Sequence, residues 1–284
     1  MIPVLDIGGT HVTAALVDPA RAVVAARRRD PLLPHGAAEH ILGAVLGCAA
    51  ALPEPPDGVW GVAVPGPFDY AGGIARYEGV GKFDSLYGVD MRAALLAGLP
   101  GRPAGVVFLN DAHAFLVGEW HAGAARGHRR CVGITLGTGV GSAFLDGGRV
   151  CRAGPGVPPD GRVDLLTLHG RPLEETVSRR AILAAYGDRD ADVADIAARA
   201  RSGEERAGRV LGDALRDLGS VLAPALDSFG ASGLVVGGSM AGSWDLVGPA
   251  LRAGLGPVTA AVTAAALGAD APLLGAAHAA AGSR

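Results

Sequence analysis

Short runs of hydrophobic residues recur through the first part of the chain, separated by glycine or polar positions. The runs IPVLDI and VTAALVD flank a bend, and GVWGVAVPG and GVVFLND follow at strand length. Between them, GAAEHILGAVLGCAAAL and DMRAALLAGL carry apolar residues at helical spacing. A hairpin followed by alternating strands and helices predicts a mixed central sheet flanked by helices.

The hairpin pattern occurs a second time. CVGITLG and GSAFLDGG flank a glycine-rich bend at residues 137–141, as the first pair does at residues 7–10. The helical patterns PLEETVSRRAILAAYG and RAGRVLGDALRDLGSVLAPALDSF follow, then the strand-length run GLVVGG and a closing helix of small residues. The doubled hairpin favours two related α/β lobes. We place them at residues 1–110, joined by the C-terminal helix at about 271–282, and at 111–270.

Composition narrows the class of protein. The chain has 284 residues, 49% of them hydrophobic and 19% charged, which is typical of a folded globular protein. Its net charge of −3 gives no broad attraction to nucleic acid or to an anionic membrane. The apolar runs are too short for a membrane span, and the start lacks the pattern of a secretion signal, so we expect a cytoplasmic protein. Cys48, Cys131 and Cys151 are far apart, which predicts unpaired thiols and no zinc site.

The first bend, DIGGTH, has the residue types of a phosphate-binding turn. Gly8 and Gly9 let the backbone come close to an anion, so that their N–H groups and the Thr10 hydroxyl donate to phosphate oxygens. Asp6, at the end of the first strand, is positioned to hold Mg²⁺ through water. The alternative is an ordinary glycine-rich hairpin turn.

Two further glycine clusters extend this hypothesis. Gly137, Thr138 and Gly139 form the second bend and match no standard phosphate loop or dinucleotide fingerprint. Gly237 and Gly238 lie between a strand and a helix, a position suited to a nucleoside or an α-phosphate. The three clusters in this order predict a nucleotide with its phosphate tail bound by both hairpins.

Asp111 is the candidate for the chemical step. It follows the strand at 106–109 and begins a helix, so it belongs at the carboxyl edge of the sheet, where sites form. A carboxylate there can accept the proton of an alcohol that attacks a γ-phosphorus, and Asn110 can orient a hydroxyl. The alternative is that Asn110 or Asp111 caps the helix.

These motifs together resemble the ROK family of sugar kinases, which have the two-lobed actin-like ATPase (ribonuclease H-like) fold. The matching segments are LDIGGTHVTAALVD, GVAVPGPFDYAGGI, LNDAHAFLVGEW, ITLGTGVGSAFLDGG, GRPLEETVSRRAI and LVVGGSMAG, which cover nearly the whole chain. By this resemblance Asp111 is the catalytic base, and Asn110 and Glu174 contact sugar hydroxyls. The resemblance implies that ATP is bound by Gly8, Gly9, Thr10, Gly137, Thr138, Gly139, Gly237 and Gly238.

The chain departs from the family on the acceptor side. The stretch LLTLHGRPLEE lacks the cysteines of the family's zinc segment, so we expect no zinc and an exposed His169. PPDGRVDLL replaces the family's GEIGH motif and leaves Asp160, Arg162 and Asp164 as polar candidates. EGVGKFDSLYG replaces the usual asparagine before a Pro-Gly-Trp loop and contains Lys82, the chain's single lysine.

Two functions remain open at this point. The first is an ATP- and Mg²⁺-dependent kinase, expected to be a homodimer, that phosphorylates a hexose, an amino sugar or a cyclitol. The second is a non-catalytic sugar sensor of the ROK type without a DNA-binding domain. The presence of both Asp6 and Asp111 favours the kinase.

Overall fold

The computed structural model describes residues 1–188 and 191–283, and the chain divides into two compact units. Unit 1 consists of Met1–Ala122 and Ala269–Arg284, and unit 2 of Gly123–Gly268. Within the described part of the chain, no helix combines the length and the apolarity that crossing a membrane requires.

Strands and helices alternate through both units. In chain order, the strands are Ile2–Ile7 (β1), His11–Asp18 (β2), Val23–Pro31 (β3), Gly58–Val64 (β4), Phe68–Asp69 (β5), Ile74–Ala75 (β6), Pro103–Asn110 (β7), Arg130–Leu136 (β8), Val140–Asp146 (β9), Arg149–Val150 (β10), Thr167–Leu168 (β11), Arg171–Pro172 (β12), Gly233–Gly237 (β13) and Ala261–Ala264 (β14). The helices are Ala38–Ala50 (α1), Met91–Gly98 (α2), Asp111–Ala122 (α3), Glu174–Val177 (α4), Arg179–Tyr186 (α5), Val193–Arg201 (α6), Glu205–Phe229 (α7), Trp244–Leu255 (α8) and Ala271–Ala281 (α9).

The central sheet of unit 1 has the strand order β3-β2-β1-β4-β7. β1 is antiparallel to β2, whereas β1, β4 and β7 run parallel. In register, Asp6 lies opposite Ala63 of β4, and Asn110 lies opposite Val64. The ends of β1 and β7 therefore meet at one edge of the sheet, which brings Asp6 and Asp111 to the same place.

The sheet of unit 2 repeats this arrangement with the order β10-β9-β8-β13-β14. β8 and β9 form the antiparallel hairpin, and β8, β13 and β14 run parallel. The mixed sheets flanked by helices confirm the predicted fold class. The two glycine bends occupy the same position in each sheet, between the first two strands, as the doubled sequence pattern predicted.

The packing of α3 sets the boundary of unit 1. A side chain on Gly118 of α3 would overlap the backbone of Ala271 in α9, and one on Gly275 of α9 would overlap the backbone of Ala114. The two helices cross at backbone contact because glycine lacks a Cβ, so α3 belongs with α9 and the sheet of unit 1. The structure therefore divides after Ala122, rather than after residue 110 as the sequence suggested.

Unit 2 is built around the long helix α7, whose buried face includes Leu211, Leu218 and Leu222. The apolar pattern before it predicted one helix through PLEETVSRRAILAAYG. The structure has two, because the Ser178 hydroxyl accepts a hydrogen bond from the Ala181 N–H (3.3 Å) and begins α5 as its N-cap. The break leaves Glu174 in a separate short helix, α4, next to the second hairpin.

Candidate active site

The first glycine bend joins β1 to β2 in unit 1. The Gly8 N–H donates to the His11 carbonyl oxygen (2.9 Å), and a Cβ on Gly8 would lie 3.3 Å from that oxygen. Gly9 has open space around it apart from the stem of Lys82, and the Thr10 side chain is exposed. The bend is thus held closed from inside and presents Gly9 and Thr10 outward.

His11 and Arg29 fix the orientation of the Thr10 hydroxyl, a role that the sequence did not reveal. Arg29 Nη2 donates to His11 Nε2 (2.8 Å), and His11 Nδ1 lies 3.0 Å from Thr10 Oγ1. Since Nε2 accepts, the ring proton is on Nδ1 and donates to Thr10. Burial and the Arg29 charge both lower the pKa of His11, which keeps the ring neutral. The Thr10 hydroxyl proton remains available to an external acceptor.

Asp6 stands directly before this bend and keeps only part of its surface open to solvent. Burial and, after it, the charge of Asp111 raise the pKa of its carboxyl, while Arg29 lowers it; together they bring the pKa from 3.8 to about 7. Two nearby carboxylates with incomplete compensation favour binding of a cation.

Asn110 and Asp111 lie at the junction of β7 and α3. Asn110 Oδ1 accepts from the backbone N–H groups of Ala112 (3.0 Å) and His113 (3.3 Å), and its Nδ2 donates to the Tyr70 hydroxyl (3.1 Å). Asn110 is therefore the helix cap that the sequence left as an alternative, and Tyr70 is a neighbour that the sequence did not indicate.

The surroundings of Asp111 act on the pKa of its carboxyl in both directions. Its Oδ1 accepts from the Ala112 N–H (2.8 Å). Burial raises the pKa of the carboxyl, while this hydrogen bond and the charge of Lys82 lower it. A carboxyl with a raised pKa in a largely enclosed position is suited to accepting a proton.

The second glycine bend joins β8 to β9 in unit 2. The Gly137 N–H donates to the Gly139 carbonyl (3.1 Å), and Gly137 accepts in turn from the Arg179 N–H at the start of α5 (3.2 Å). A Cβ on Gly139 would lie 2.5 Å from Glu174 Oε1, which shows how closely the glutamate carboxylate approaches this bend. Thr138 is exposed at the tip.

The other acceptor-side candidates of unit 2 lie in the segment after β10. Arg162 pairs with Asp164 through Nη2 (2.6 Å), and the charges of Glu174 and Asp160 contribute to the raised pKa of its guanidinium. Buried Ser142 holds the segment, donating to the Gly161 carbonyl (2.6 Å) and accepting from the Val163 N–H (3.0 Å). The structure thus groups these four charged candidates, and Ser142 is a positioning residue that the sequence missed.

The third cluster follows β13. Gly238 has φ 84°, and a Cβ there would overlap the Leu136 backbone, so only glycine fits this close approach to β8. A cavity of about 100 Å³ adjoins the turn, with serine hydroxyls, apolar side chains and the Arg179–Asp192 ion pair (2.8 Å) on its walls. It is lined by Arg179, Asp192, Val193, Ala194, Ala197, Leu211, Ser239, Met240, Ser243 and Val247.

The predicted site residues fall into two groups. Unit 1 brings together Asp6, Gly8, Gly9, Thr10, Lys82, Asn110 and Asp111, and unit 2 brings together Gly137, Thr138, Gly139, Asp160, Arg162, Asp164, Glu174, Gly237 and Gly238. Among residues 1–188 and 191–283, no three His, Cys, Asp or Glu side chains form a metal-binding cluster. His169 is exposed in the turn between β11 and β12.

Comparisons with known proteins agree on one family. A family model described as "ROK family" matches residues 3–282. The chain is 32% identical over 158 residues to a glucokinase of Thermotoga maritima, covering 54% of this chain and 47% of the relative. It is 30% identical over 301 residues to the bifunctional enzyme NanE/NanK of Brucella melitensis, covering 98% and 54% respectively. The chain thus spans about half the length of these two curated relatives.

A solved structure extends the likeness to the fold of the whole chain. It is a ROK family glucokinase from Streptomyces griseus in complex with glucose and AMPPNP, 26% identical, with a TM-score of 0.76 and 99% of each chain covered.

Proposed function

Because the chain belongs to the ROK family, we propose that it is a kinase that transfers the γ-phosphoryl group of ATP to a hydroxyl of a sugar or sugar-like polyol. The observation that carries the proposal is the placement of Asp111 at the end of β7, on the same sheet edge as Asp6 and its glycine bend. The acceptor class includes hexoses, amino sugars and cyclitols.

Asp111 is the general base of this proposal. Its pKa is raised above that of an exposed aspartate, so the carboxylate binds a proton more tightly and is a better general base. The capping bonds of Asn110 hold the first turn of α3, and therefore the Asp111 backbone, in place.

The phosphate groups are assigned to the two glycine bends. In unit 1, Gly8, Gly9 and Thr10 supply donors, and the His11–Arg29 pair leaves the Thr10 hydroxyl proton available to a phosphate oxygen. In unit 2, Gly137, Thr138 and Gly139 have the same position in the sheet. The cavity next to Gly237 and Gly238 is assigned to the nucleoside, since it combines apolar walls with hydroxyl groups.

Mg²⁺ fits the residues at the sheet edge of unit 1. Mg²⁺ in phosphoryl-transfer sites is held by one or two carboxylates together with substrate phosphates and water. Asp6 meets this requirement, because burial and the nearby charge of Asp111 raise its pKa to about 7, and a bound cation would stabilise its charged form. Asp6 would hold the ion through water, and the ion would supply charge neutralisation for the phosphates.

Each unit has polar groups that are candidates for hydrogen bonds with the acceptor. In unit 2, Glu174, Arg162, Asp160 and Asp164 offer carboxylates and a guanidinium to hydroxyl groups. In unit 1, Asn110 keeps one amide hydrogen beyond the one it donates to Tyr70. Arg162 lies in the segment that replaces the family's GEIGH motif. Because this polar group differs from the usual ones, the proposal includes acceptors other than glucose.

The chemical step follows from these roles. Asp111 takes the proton of the acceptor hydroxyl as its oxygen attacks the γ-phosphorus. The new oxygen–phosphorus bond forms while the bond to the β,γ-bridging oxygen breaks, and that oxygen leaves with the bonding pair as part of ADP.

The test is acceptor-dependent ADP release, measured over a panel of hexoses, amino sugars and cyclitols with MgATP. We expect turnover with at least one polyol and none with ATP alone. Nucleotide binding by calorimetry without turnover on any panel member would overturn the kinase and support the non-catalytic sensor.

A further inference from the structure

Lys82 is the single lysine of the chain and reaches the catalytic edge of unit 1. Its Cδ lies 4.0 Å from the position that a Cβ on Gly9 would occupy, so the stem of the side chain passes over the first glycine bend. The side chain is half-buried, and no ion pair links it to a residue within 1–188 or 191–283. Its ammonium group is therefore held near the bend without a permanent carboxylate partner.

The backbone around Lys82 is fixed by its neighbour. Phe83 is 1% exposed, packs on the Tyr77 ring (5.3 Å between centroids) and donates its N–H to the Pro34 carbonyl (2.7 Å). It adopts φ 61°, a left-handed conformation that is costly for a bulky residue and persists only where the surroundings enforce it. Anchoring Phe83 inward in this conformation determines where the Lys82 side chain starts.

The position of the ammonium group relative to Asp111 points to its role. The charge of Lys82 lowers the pKa of Asp111, which places the two groups near each other at the sheet edge. Lys82 is therefore a neighbour of both Gly9 and Asp111. In the proposed reaction, the group between a phosphate-binding bend and the base is the phosphoryl group in transfer.

We propose that Lys82 is a catalytic residue that contacts the transferred γ-phosphoryl group through hydrogen bonds from its ammonium. This inference rests on the proposed kinase function and deepens it. As the acceptor oxygen bonds to phosphorus and gives its proton to Asp111, the bridging oxygen leaves with its electron pair. Lys82 stays protonated throughout and neutralises charge on the equatorial oxygens.

Variants at Lys82 separate this role from simple acceptor binding. Loss of one preorganised donor to transition-state charge typically lowers kcat by about 10²–10³-fold. We expect Lys82→Met to show a loss of that order, with the acceptor KM nearly unchanged, and Lys82→Ala to regain turnover when a small primary amine is added. Arg21→Met is the matched control, because Arg21 is a largely exposed cation on the β2–β3 turn and should leave kcat unchanged.

Two kinetic results would contradict the proposed role of Lys82. A kcat close to wild type in Lys82→Met, or a loss confined to the acceptor KM, would overturn the catalytic role. Circular-dichroism melting curves are the control for misfolding of Lys82→Met. Because the half-buried cation has no ion pair with a described residue, we expect its removal to leave the melting temperature close to that of the wild type.

The single lysine also allows a measurement that needs no turnover. Reductive methylation with isotope-labelled formaldehyde gives one lysine side-chain NMR signal, which Lys82→Arg identifies by its loss. We expect Mg²⁺ and AMPPNP to shift this signal, because a phosphate group next to the ammonium changes its electrostatic environment. AMPPNP binding by calorimetry without any change in this signal would overturn the role of Lys82 and leave the kinase standing. Absence of AMPPNP binding altogether would overturn both.

Discussion

Asp6 and Asp111 stand at the same sheet edge of unit 1, but the cations near them differ. Arg29 acts on Asp6 and is itself bonded to His11, whereas Lys82 acts on Asp111 without an ion pair to a described residue. Burial, together with the charge of Asp111 and against that of Arg29, leaves the pKa of Asp6 at about 7 in the free protein. Such an uncompensated carboxyl reduces stability and provides a site for a cation, a common compromise at functional positions.

Stability should depend on pH through Asp6. Its folded pKa of about 7 exceeds the unfolded 3.8, so the folded state binds more protons between these values and the free energy of unfolding falls as pH rises through this window. At about 1.4 kcal/mol per pKa unit, the loss reaches up to about 4 kcal/mol at pH 8. Asp6→Asn should lack this loss, as measured by urea unfolding from pH 4 to pH 8 with EDTA.

A matched variant tests whether the dependence belongs to Asp6. Asp213 is largely exposed on α7, so Asp213→Asn should keep the pH dependence of the wild type. A wild type and an Asp6→Asn variant with parallel pH profiles would contradict the raised pKa.

The sequence revealed some site residues and hid others for a physical reason. Asp6, Gly9, Thr10 and Asp111 are signalled locally, by an acid or a glycine at the end of an apolar run. The relay through Arg29 depends on the pairing of β2 with β3, whose register shifts at Leu16/Val17. A contact that depends on an irregular strand register cannot be derived from residue pattern alone.

At the scale of elements, local signals predicted most helices and strands, and tertiary packing decided the rest. The helix expected through PLEETVSRRAILAAYG is broken at Ser178, although its serine is a standard N-cap signal. The crossing of α3 and α9 is a feature that tertiary packing decided. Its glycines fit a small-residue surface in the sequence, but which helix they contact is a long-range property.

Substitution of glycine by alanine should have opposite effects at two helical glycines, one inside the α3–α9 crossing and one outside it. Gly275→Ala should destabilise by about 1–3 kcal/mol, because its Cβ would overlap the Ala114 backbone. Gly43→Ala in α1 has open space around it and should stabilise by about 0.5–1 kcal/mol through helix propensity. Both values come from chemical denaturation. A Gly275→Ala variant as stable as the wild type would show that the two helices do not cross at backbone contact.

For the whole molecule, two units share one sheet topology, and each carries a glycine bend at the same place. The sequence indicated this doubling, because the hairpin pattern repeats at strand spacing. It misplaced the boundary at residue 110, because the helix that begins at Asp111 is locally compatible with either unit and only packing on α9 assigns it. Asp111, the proposed base, therefore belongs to the unit that carries the first glycine bend.

The proposed phosphoryl transfer requires that Asp111 act on the proton of the acceptor hydroxyl and not on the nucleotide. Asp111→Asn keeps the size of the side chain and removes the base. We expect kcat with the identified acceptor to fall by about 10²–10⁴-fold, while the affinity for MgAMPPNP in calorimetry stays close to that of the wild type. Turnover of Asp111→Asn at the wild-type rate would contradict the assignment of this carboxyl as the base.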